Sequence, residues 1–220
     1  MATRVSIINF KGGVGKTSLA FHLATGLTRY HNKKILLVDI DHQSSLSLVC
    51  LSAKDWEKAV DEGRTINSIF KHFTESNFSL PQKEIIYKNP LRTKYTNSYP
   101  DLDLLPASLQ LDETELELTS TSVGHPINSE WNKRTLLCKW IEENKINNEY
   151  DYIIFDCPPA TKLVTQNAIA ASHGYIIPVI PEAVSIRGIP HLIERVFTKI
   201  DKKFAGLSQY LKAKGIKIPD

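Results

Sequence analysis

Apolar residues occur along this chain in short continuous runs. Residues 5–9 form a short β-rich run, and three apolar runs cover residues 35–39 and 152–156, each ending at an aspartate, and residues 175–180, which include Pro178. A strand that is buried on both faces has no solvent-facing positions, so its sequence is an unbroken apolar run and not an alternation. The four runs therefore predict buried β-strands, and residues 103–106 (DLLP) are predicted as one more strand.

Other apolar residues recur every three or four positions, which is the spacing of a helix with one buried face. The first such set follows the first predicted strand: Leu19, Ala20, Leu23, Ala24 and Leu27. Residues 163–171 and residues 185 to about 204 are also predicted as helices. Strands that alternate with helices predict an α/β fold, with a doubly wound, mostly parallel sheet flanked by helices.

The chain of 220 residues is predicted to form a single domain, residues 1–220. Its hydrophobic fraction of 42% and charged fraction of 23% are those of an ordinary globular protein. Residues 53–100 mix aromatic and charged residues with prolines, and are predicted as an irregular insertion within that domain. Because the sequence stops just after a predicted helix, where such a sheet normally adds a strand, we expect a native C-terminal part to be missing.

The composition indicates where the protein is located but does not identify its partners. The net charge of +3 is too small to indicate a partner by itself. The 3 cysteines lack metal-ligand spacing, which fits a reducing cytosol. No apolar run approaches the roughly 18 residues of a membrane span, and the first residues resemble a strand and not a signal peptide. We expect a cytoplasmic protein.

The segment NFKGGVGKTS, residues 9–18, joins the first predicted strand to the first predicted helix. It approximates the phosphate-binding pattern G-x-x-x-x-G-K-[ST], except that Phe10 replaces the first glycine. Glycines let backbone N–H groups surround phosphate oxygens, and the following helix directs its positive end towards them. A plain glycine-rich turn is the alternative. The residues expected to bind a nucleotide are Lys11, Gly12, Gly13, Val14, Gly15, Lys16, Thr17 and Ser18.

Two lysines lie in this loop, and they need separate explanations. Lys16 is expected to hold the β- and γ-phosphates, and the Thr17 hydroxyl to bind Mg²⁺. Ser18 would place a hydroxyl near the α-phosphate. Lys11 is either a solvated loop residue or a cation that reaches a nucleotide held by a second subunit, as an arginine finger does. The spacing alone leaves both explanations open.

The motif KGGVGKT resembles the deviant Walker A motif of the ParA/MinD superfamily of ATPases, in which the first lysine is the signature residue. In that superfamily this lysine crosses the interface of a nucleotide sandwich dimer. The resemblance therefore implies ATP and Mg²⁺ as cofactors and a homodimer that forms with ATP. It also implies that Lys11 and Lys16 are both catalytic, with Lys11 contacting the ATP of the partner subunit.

Two aspartates, Asp39 and Asp41, end the second predicted strand and follow it, at the edge where open α/β sheets bind ligands. One carboxylate can hold metal-bound water while the other orients an attacking water. A capping or solvated pair is the alternative. The stretch resembles the ParA motif D-x-D-P-Q, with His42 in place of the proline. By this resemblance Asp41 is the catalytic aspartate of hydrolysis, Asp39 supports the metal or the switch loop, and His42 loosens the turn.

Asp156 ends a further strand at the position of a Walker B carboxylate, which binds Mg²⁺ through water. The block DCPP with the helix after it resembles ParA proteins, and so does the block YIIPVIPEAVSIRGIPHLIERV. We therefore expect Thr17, Asp39 and Asp156 to form the metal site. The resemblance runs through three blocks over most of residues 4–200 and leaves residues 53–100 unmatched.

The superfamily divides by what its dimers bind, and the segments DHQSSLSL and PPATKLVTQNA resemble ParA proteins, which bind DNA, more than MinD. Residues 187–217 carry eight basic and two acidic residues, a local charge of +6. Such a cluster can follow phosphates without reading bases, although a solvated helix face has the same composition. Cys138 and Cys157 lack the surroundings of cluster ligands, which disfavours an iron-protein relative. The residues predicted to contact DNA are Arg187, Arg195, Lys199, Lys202 and Lys203.

The motifs predict a Mg²⁺-dependent ATPase, and the resemblance implies that it is weak alone, is stimulated by partners, and forms an ATP-bound sandwich dimer that binds nonspecific DNA. By the resemblance it would partition or position a plasmid, chromosome or other cargo with a ParB-like adaptor, and would be nucleoid-associated when ATP-bound. A MinD-like membrane-associated ATPase and a metabolic ATP-dependent enzyme of the same superfamily are the alternatives. The first needs an amphipathic C-terminal helix, and the second needs a small-molecule acceptor.

Overall fold

The computed structural model describes residues 1–91, 99–159, 162–181, 189–190, 192–216 and 218. Within these residues six strands form one sheet, in the order β3-β4-β2-β5-β1-β6. Their bounds are β1 Thr3–Ile7, β2 Ile35–Asp39, β3 Tyr87–Lys88, β4 Leu102–Leu105, β5 Tyr152–Asp156 and β6 Gly174–Ile176. Neighbouring strands are parallel except β3 and β4, which are antiparallel. The predicted doubly wound, mostly parallel α/β sheet is confirmed.

Helices connect the strands and pack on the sheet. Their bounds are α1 Lys16–His31, α2 Ser45–Cys50, α3 Ala53–Asp61, α4 Asn67–Thr74, α5 Leu111–Ser120, α6 Pro126–Asn132, α7 Leu136–Glu143, α8 Leu163–Ala171 and α9 Thr198–Ala213. Two 3₁₀ turns span Lys83–Ile85 and Ile146–Asn148, and a π-helical segment, Leu192–Phe197, leads into α9. No helix among the residues described is both long and apolar enough to cross a membrane.

Strand β2 shows why the apolar runs form central strands. All five of its residues are buried. Leu36 and Val38 belong to one hydrophobic cluster, and Ile35 and Leu37 belong to the other. Because successive side chains of a strand point to opposite faces, this division means that the sheet lies between two apolar layers. An alternating sequence would have left one of those layers polar.

Four predicted elements have bounds that differ from those observed. The strand predicted at residues 103–106 is Leu102–Leu105. The first strand ends at Ile7, two residues before its predicted end. The strand predicted at residues 175–180 is only Gly174–Ile176, and Pro178, which has no N–H to donate, lies beyond it. The helix predicted from residue 185 begins outside the described residues, and its described part continues through α9 to Ala213.

The described part of residues 53–100 shares the core of the sheet. It contains α3, α4, a 3₁₀ turn and the short edge strand β3. Phe70 is completely buried in the larger hydrophobic cluster. The Trp56 indole Nε1 donates a 2.9 Å hydrogen bond to the carbonyl oxygen of Ala107, in the segment after β4. These contacts place α3 and α4 against the segment that follows β4, near the edge of the sheet where β2 ends.

Candidate functional site

The loop between β1 and α1 has a backbone shape that favours glycine at two positions. Gly13 has a φ of 71° and Gly15 a φ of 82°, in the left-handed region where other residues are strained. Gly15 is the N-cap of α1, and no side chain caps this helix. The first N–H groups of α1 are therefore available to an external acceptor, as in a phosphate-binding site.

A cavity of about 550 Å³ lies against this loop. Its walls come from the loop and from the segments after β2 and β5: Gly12, Gly13, Gly15, Lys16, Thr17, Ser18, Asp41, Gln43, Ser45 and Pro159. The structure thus brings most of the predicted loop residues together with Asp41 at the carboxyl edge of the parallel strands, where open α/β sheets bind ligands. A larger cavity of about 640 Å³, lined by residues of α4, α6, α7 and α9, contains none of the predicted site residues.

Lys16 begins α1, and its side chain reaches back across the loop. Its Nζ donates a 3.3 Å hydrogen bond to the carbonyl oxygen of Lys11. Burial lowers the pKa of the Lys16 ammonium, while the carboxylates of Asp156 and Asp41 raise it. A phosphate group would supply further negative charge beside this buried ammonium, so the environment of Lys16 suits an anionic ligand.

The backbone of Lys11 is held by Asn9. The Lys11 N–H donates to Oδ1 of Asn9 over 3.0 Å, and Nδ2 of Asn9 donates to the carbonyl oxygen of Pro178 over 2.8 Å. Asn9 therefore ties the loop to the segment after β6. The sequence analysis missed this role, although a polar residue at the end of an apolar run was the signal that could have indicated it.

Asp156 is a buried carboxylate at the end of β5. Its exposed fraction is 1%, and no described residue donates a hydrogen bond to either of its oxygens. Burial raises the pKa of Asp156 to about 7, with a further contribution from Asp39, while Thr17 and Lys16 act in the opposite direction. Thr17 is thus close enough to influence the carboxylate without forming a hydrogen bond of ordinary geometry. A buried carboxylate without partners is costly unless a cation accompanies it.

These features fit Mg²⁺ bound together with a nucleotide. Among the described residues, no group of three or more His, Cys, Asp or Glu side chains is arranged to hold a metal by itself. Such a group is not needed, because Mg²⁺ in nucleotide sites takes most of its ligands from phosphates and water and only one or two from the protein. Thr17 and Asp156 are suitable protein ligands here.

Asp39 has different surroundings, although it is the register partner of Asp156. Its Oδ1 accepts the Asp41 N–H over 3.0 Å. Its Oδ2 accepts both the N–H and the hydroxyl of Ser47, over 2.8 and 2.7 Å. Burial raises the pKa of Asp39 to about 6, and these hydrogen bonds oppose that rise. The protein itself already satisfies this carboxylate, and the metal role of Asp39 stays a prediction.

Asp41 lies at the wall of the cavity, and one of its oxygens is held. Oδ1 accepts the Gln43 N–H over 3.0 Å and lies 3.5 Å from Nδ1 of His42. The residue that departs from the D-x-D-P-Q motif therefore lies beside the carboxylate predicted to act in hydrolysis. Sequence reasoning did not identify Gln43 or Ser47, because their contributions come from a backbone N–H and from a fold-dependent contact.

The three lysines predicted to bind DNA do not line the cavity. Lys199, Lys202 and Lys203 are exposed on α9. Lys203 pairs with Oε2 of Glu130 over 3.1 Å, which links α9 to α6. Arg187 lies outside the described residues, and the side chain of Arg195 is not among those described. The structure therefore gives Lys203 a packing contact that the sequence did not predict.

Comparisons with known proteins agree with this geometry. The family described as "AAA domain" (AAA_31) matches residues 2–209. The sporulation initiation inhibitor protein Soj of Bacillus subtilis (strain 168) is 33% identical over 202 residues, which cover 89% of this chain and 65% of Soj. The chromosome partitioning protein ParA of Myxococcus xanthus (strain DK1622) is 30% identical over 212 residues, which cover 96% of this chain and 62% of that protein. The chain thus spans slightly less than two thirds of these relatives.

A solved structure with the same fold also comes from a partition protein. A plasmid partition protein from Borrelia burgdorferi aligns with a TM-score of 0.63 and 25% identity, over 91% of this chain and 69% of that one. The resemblance based on the loop and the two later motifs is therefore confirmed over nearly the whole sequence. The chain belongs to the AAA domain family and, within it, to the ParA-type partition ATPases of the ParA/MinD superfamily.

Proposed function

We propose that this protein is a Mg²⁺-dependent ATPase whose ATP-bound dimer binds nonspecific DNA and, with a ParB-like adaptor, partitions or positions a cargo. One observation carries the ATPase part of the proposal. A glycine loop, a buried lysine and a buried carboxylate to which no described residue donates a hydrogen bond meet at one edge of the sheet. Membership of the ParA-type family supports the remainder.

The chain's own residues would divide the work of hydrolysis. The loop N–H groups and Lys16 would bind the phosphates, and Thr17 and Asp156 would hold Mg²⁺. The metal, when bound, would neutralise charge on the phosphates. Asp41, at the cavity wall, would orient the attacking water. This division gives a role to Lys16, Thr17 and Asp41, which line the cavity, without requiring a covalent intermediate.

Lys11 would act on the nucleotide of a second subunit. Its backbone is fixed by Asn9 and accepts a hydrogen bond from Lys16, yet Lys11 does not line the cavity of its own subunit. A cation in that position is suited to a nucleotide that arrives with a partner, in the way that an arginine finger acts in trans. Dimerisation would then depend on ATP.

Helix α9 would provide the DNA contacts. Lys199 and Lys202 are exposed on this helix, whereas Lys203 forms an ion pair with Glu130. Burial raises the pKa of Glu130, but hydrogen bonds from Lys133 and Lys203 outweigh this effect and lower the pKa to about 2. The carboxylate therefore stays charged and retains its partners. We therefore expect Lys199 and Lys202 to contribute more to DNA binding than Lys203.

The test is a gel-shift assay of the native full-length protein on random duplex DNA with ATP, with ADP and without nucleotide, across a salt series. Binding is expected only with ATP, and its affinity should fall steeply with salt because counterions are released. The double variant Lys199→Ala/Lys202→Ala should reduce the salt slope by about 2. The matched control Lys54→Ala/Lys58→Ala removes the same charge from α3 and should leave the slope unchanged.

Other outcomes would redirect the proposal. ATP hydrolysis without DNA binding in any nucleotide state would contradict the DNA role. Pelleting of the protein with anionic liposomes would then support a membrane-positioning ATPase. Turnover that requires a small-molecule acceptor would support a metabolic enzyme. An unchanged dimerisation constant and turnover in Lys11→Ala would contradict the action of Lys11 in trans.

A further inference from the structure

The hydrogen bonds around Asp39 indicate a role for Ser47 that none of the sequence motifs assigns. Ser47 lies in α2, is completely buried, and donates both its N–H and its hydroxyl to Oδ2 of Asp39. The same hydroxyl oxygen accepts the Ala107 N–H over 2.9 Å. Ser47 is therefore the point at which β2, α2 and the segment after β4 are joined.

The network continues from Asp39 to Asp41. The other carboxylate oxygen of Asp39, Oδ1, accepts the Asp41 N–H over 3.0 Å. A continuous set of hydrogen bonds thus runs from Ala107 through Ser47 and Asp39 to the backbone of Asp41. All four residues are buried. A buried network keeps its arrangement because any alternative would leave buried donors without acceptors.

We propose that Ser47, acting through Asp39, is a positioning residue that fixes the Asp41 carboxylate at the wall of the nucleotide cavity. This inference rests on the proposed function, in which Asp41 orients the attacking water. Asp39 serves here as a hydrogen-bond acceptor for the loop and for the start of α2. Asp156, on the neighbouring strand, receives no hydrogen bond from the described residues, so both of its carboxylate oxygens would be available to a ligand.

The first test is Ser47→Ala in the native full-length protein. Turnover at saturating Mg²⁺-ATP should fall about tenfold, because small displacements of a catalytic group lower the rate strongly. The affinity for a fluorescent ATP analogue should change less than about twofold, since the loop that binds phosphate is untouched. Ser47→Thr keeps the hydroxyl and should recover most of the turnover. A loss of affinity with unchanged turnover would overturn the proposal.

A double-mutant cycle tests whether Ser47 acts through Asp39. Once Asp39→Asn has weakened the acceptor, adding Ser47→Ala should lower turnover by less than about twofold more. The matched control is Ser52→Ala, which removes a hydroxyl that donates to Asp55 Oδ2 and caps the next helix, α3. It should leave turnover unchanged. Additive losses at positions 39 and 47, or an equal loss in the control, would contradict the proposal.

A second readout separates this inference from the proposed function. In nucleotide-free protein, Ser47→Ala should make the amides of Asp41 and Gln43 exchange with solvent about tenfold faster, because the acceptor of the Asp41 N–H is no longer held. The amides of the Gly12 to Gly15 loop should not change. If the wild-type protein hydrolyses no ATP, the proposed function fails, but the exchange measurement still tests whether Ser47 holds the Asp41 segment in place. Unchanged exchange at Asp41 would overturn the positioning role.

Discussion

The carboxyl ends of β2 and β5 lie side by side, and their aspartates have opposite surroundings. Asp39 and Asp156 are register partners with exposed fractions of 0% and 1%. Asp39 accepts three hydrogen bonds, whereas no described residue donates one to Asp156. Burial raises the pKa of both, to about 6 and about 7. Equal burial therefore does not mean equal surroundings, because the described residues satisfy the Asp39 carboxylate and leave both oxygens of Asp156 without a donor.

The largest expected effect separates the two aspartates by their dependence on Mg²⁺. Asp156→Asn should lower turnover about 100-fold or more and weaken the response to added Mg²⁺, because it removes a charged ligand. Asp39→Asn should lower turnover by roughly tenfold without changing the Mg²⁺ concentration that gives half of the maximal rate. Steady-state assays across a Mg²⁺ titration measure both. If turnover of the two variants depends on the Mg²⁺ concentration in the same way, Asp39 and Asp156 do not differ in their relation to the metal.

Both carboxylates should make the nucleotide-free protein less stable as pH rises. Their folded-state pKa values lie above the ordinary 3.8, so the folded protein holds these protons more tightly than the unfolded chain. Stability is then highest below about pH 4 for these groups, and it is lost as pH rises towards about 7. The pKa shift of Asp156 corresponds to a loss of at most about 4 kcal/mol in the free energy of unfolding. Because the surroundings relax, the loss that we expect between pH 5 and 8 is ~2 kcal/mol.

Denaturant titrations at several pH values, without nucleotide or Mg²⁺, check this expectation. Asp156→Asn should flatten the dependence on pH between 5 and 8, because it removes the group with the higher pKa. Glu130, whose pKa is lowered to about 2, titrates below this window and does not mask the effect. If Asp156→Asn has the same dependence on pH as the wild type between pH 5 and 8, Asp156 is not held in the environment described.

The sequence allowed prediction of features that are local or periodic. Residues 163–171 form α8 as predicted, and β2 and β5 have the predicted bounds, because burial on both faces requires an unbroken apolar run. Strand β3, only two residues long, has no period to detect. The loop, Asp39, Asp41 and Asp156 could also be identified from their motifs.

The partners of those residues could not be predicted, because they depend on contacts across the fold. Ser47 meets Asp39 only because α2 folds back over the end of β2, and it meets Ala107 across a separation of 60 residues. Lys203 meets Glu130 through the packing of α9 on α6. A motif specifies which side chains are present, whereas their hydrogen bonds follow from tertiary geometry.

A smaller effect should appear in stability, with opposite signs at the two aspartates. At pH 8 without nucleotide, Asp156→Asn should raise the free energy of unfolding by about 1–2 kcal/mol, since it removes a buried charge without partners. Asp39→Asn should lower it by about 1–2 kcal/mol, since an amide nitrogen cannot accept the hydrogen bonds from Ser47. Denaturation curves of the two variants under one condition provide the measurement. Shifts of the same sign would remove the distinction.

The smallest expected effect concerns His42, which stands where the motif D-x-D-P-Q has proline. Its Nδ1 lies 3.5 Å from Oδ1 of Asp41, and its side chain is 42% exposed. The same oxygen already accepts the Gln43 N–H, and partly exposed ion pairs contribute only about 0–1 kcal/mol. His42→Asn should therefore change turnover by no more than about threefold.

Turnover of wild type and His42→Asn under one condition measures this contribution. His42→Gln, which also removes the ring, is the control for a change in shape. A loss comparable to that of Ser47→Ala would mean that the turn at His42, and not the hydrogen bonds of Asp39, determines where the Asp41 carboxylate lies.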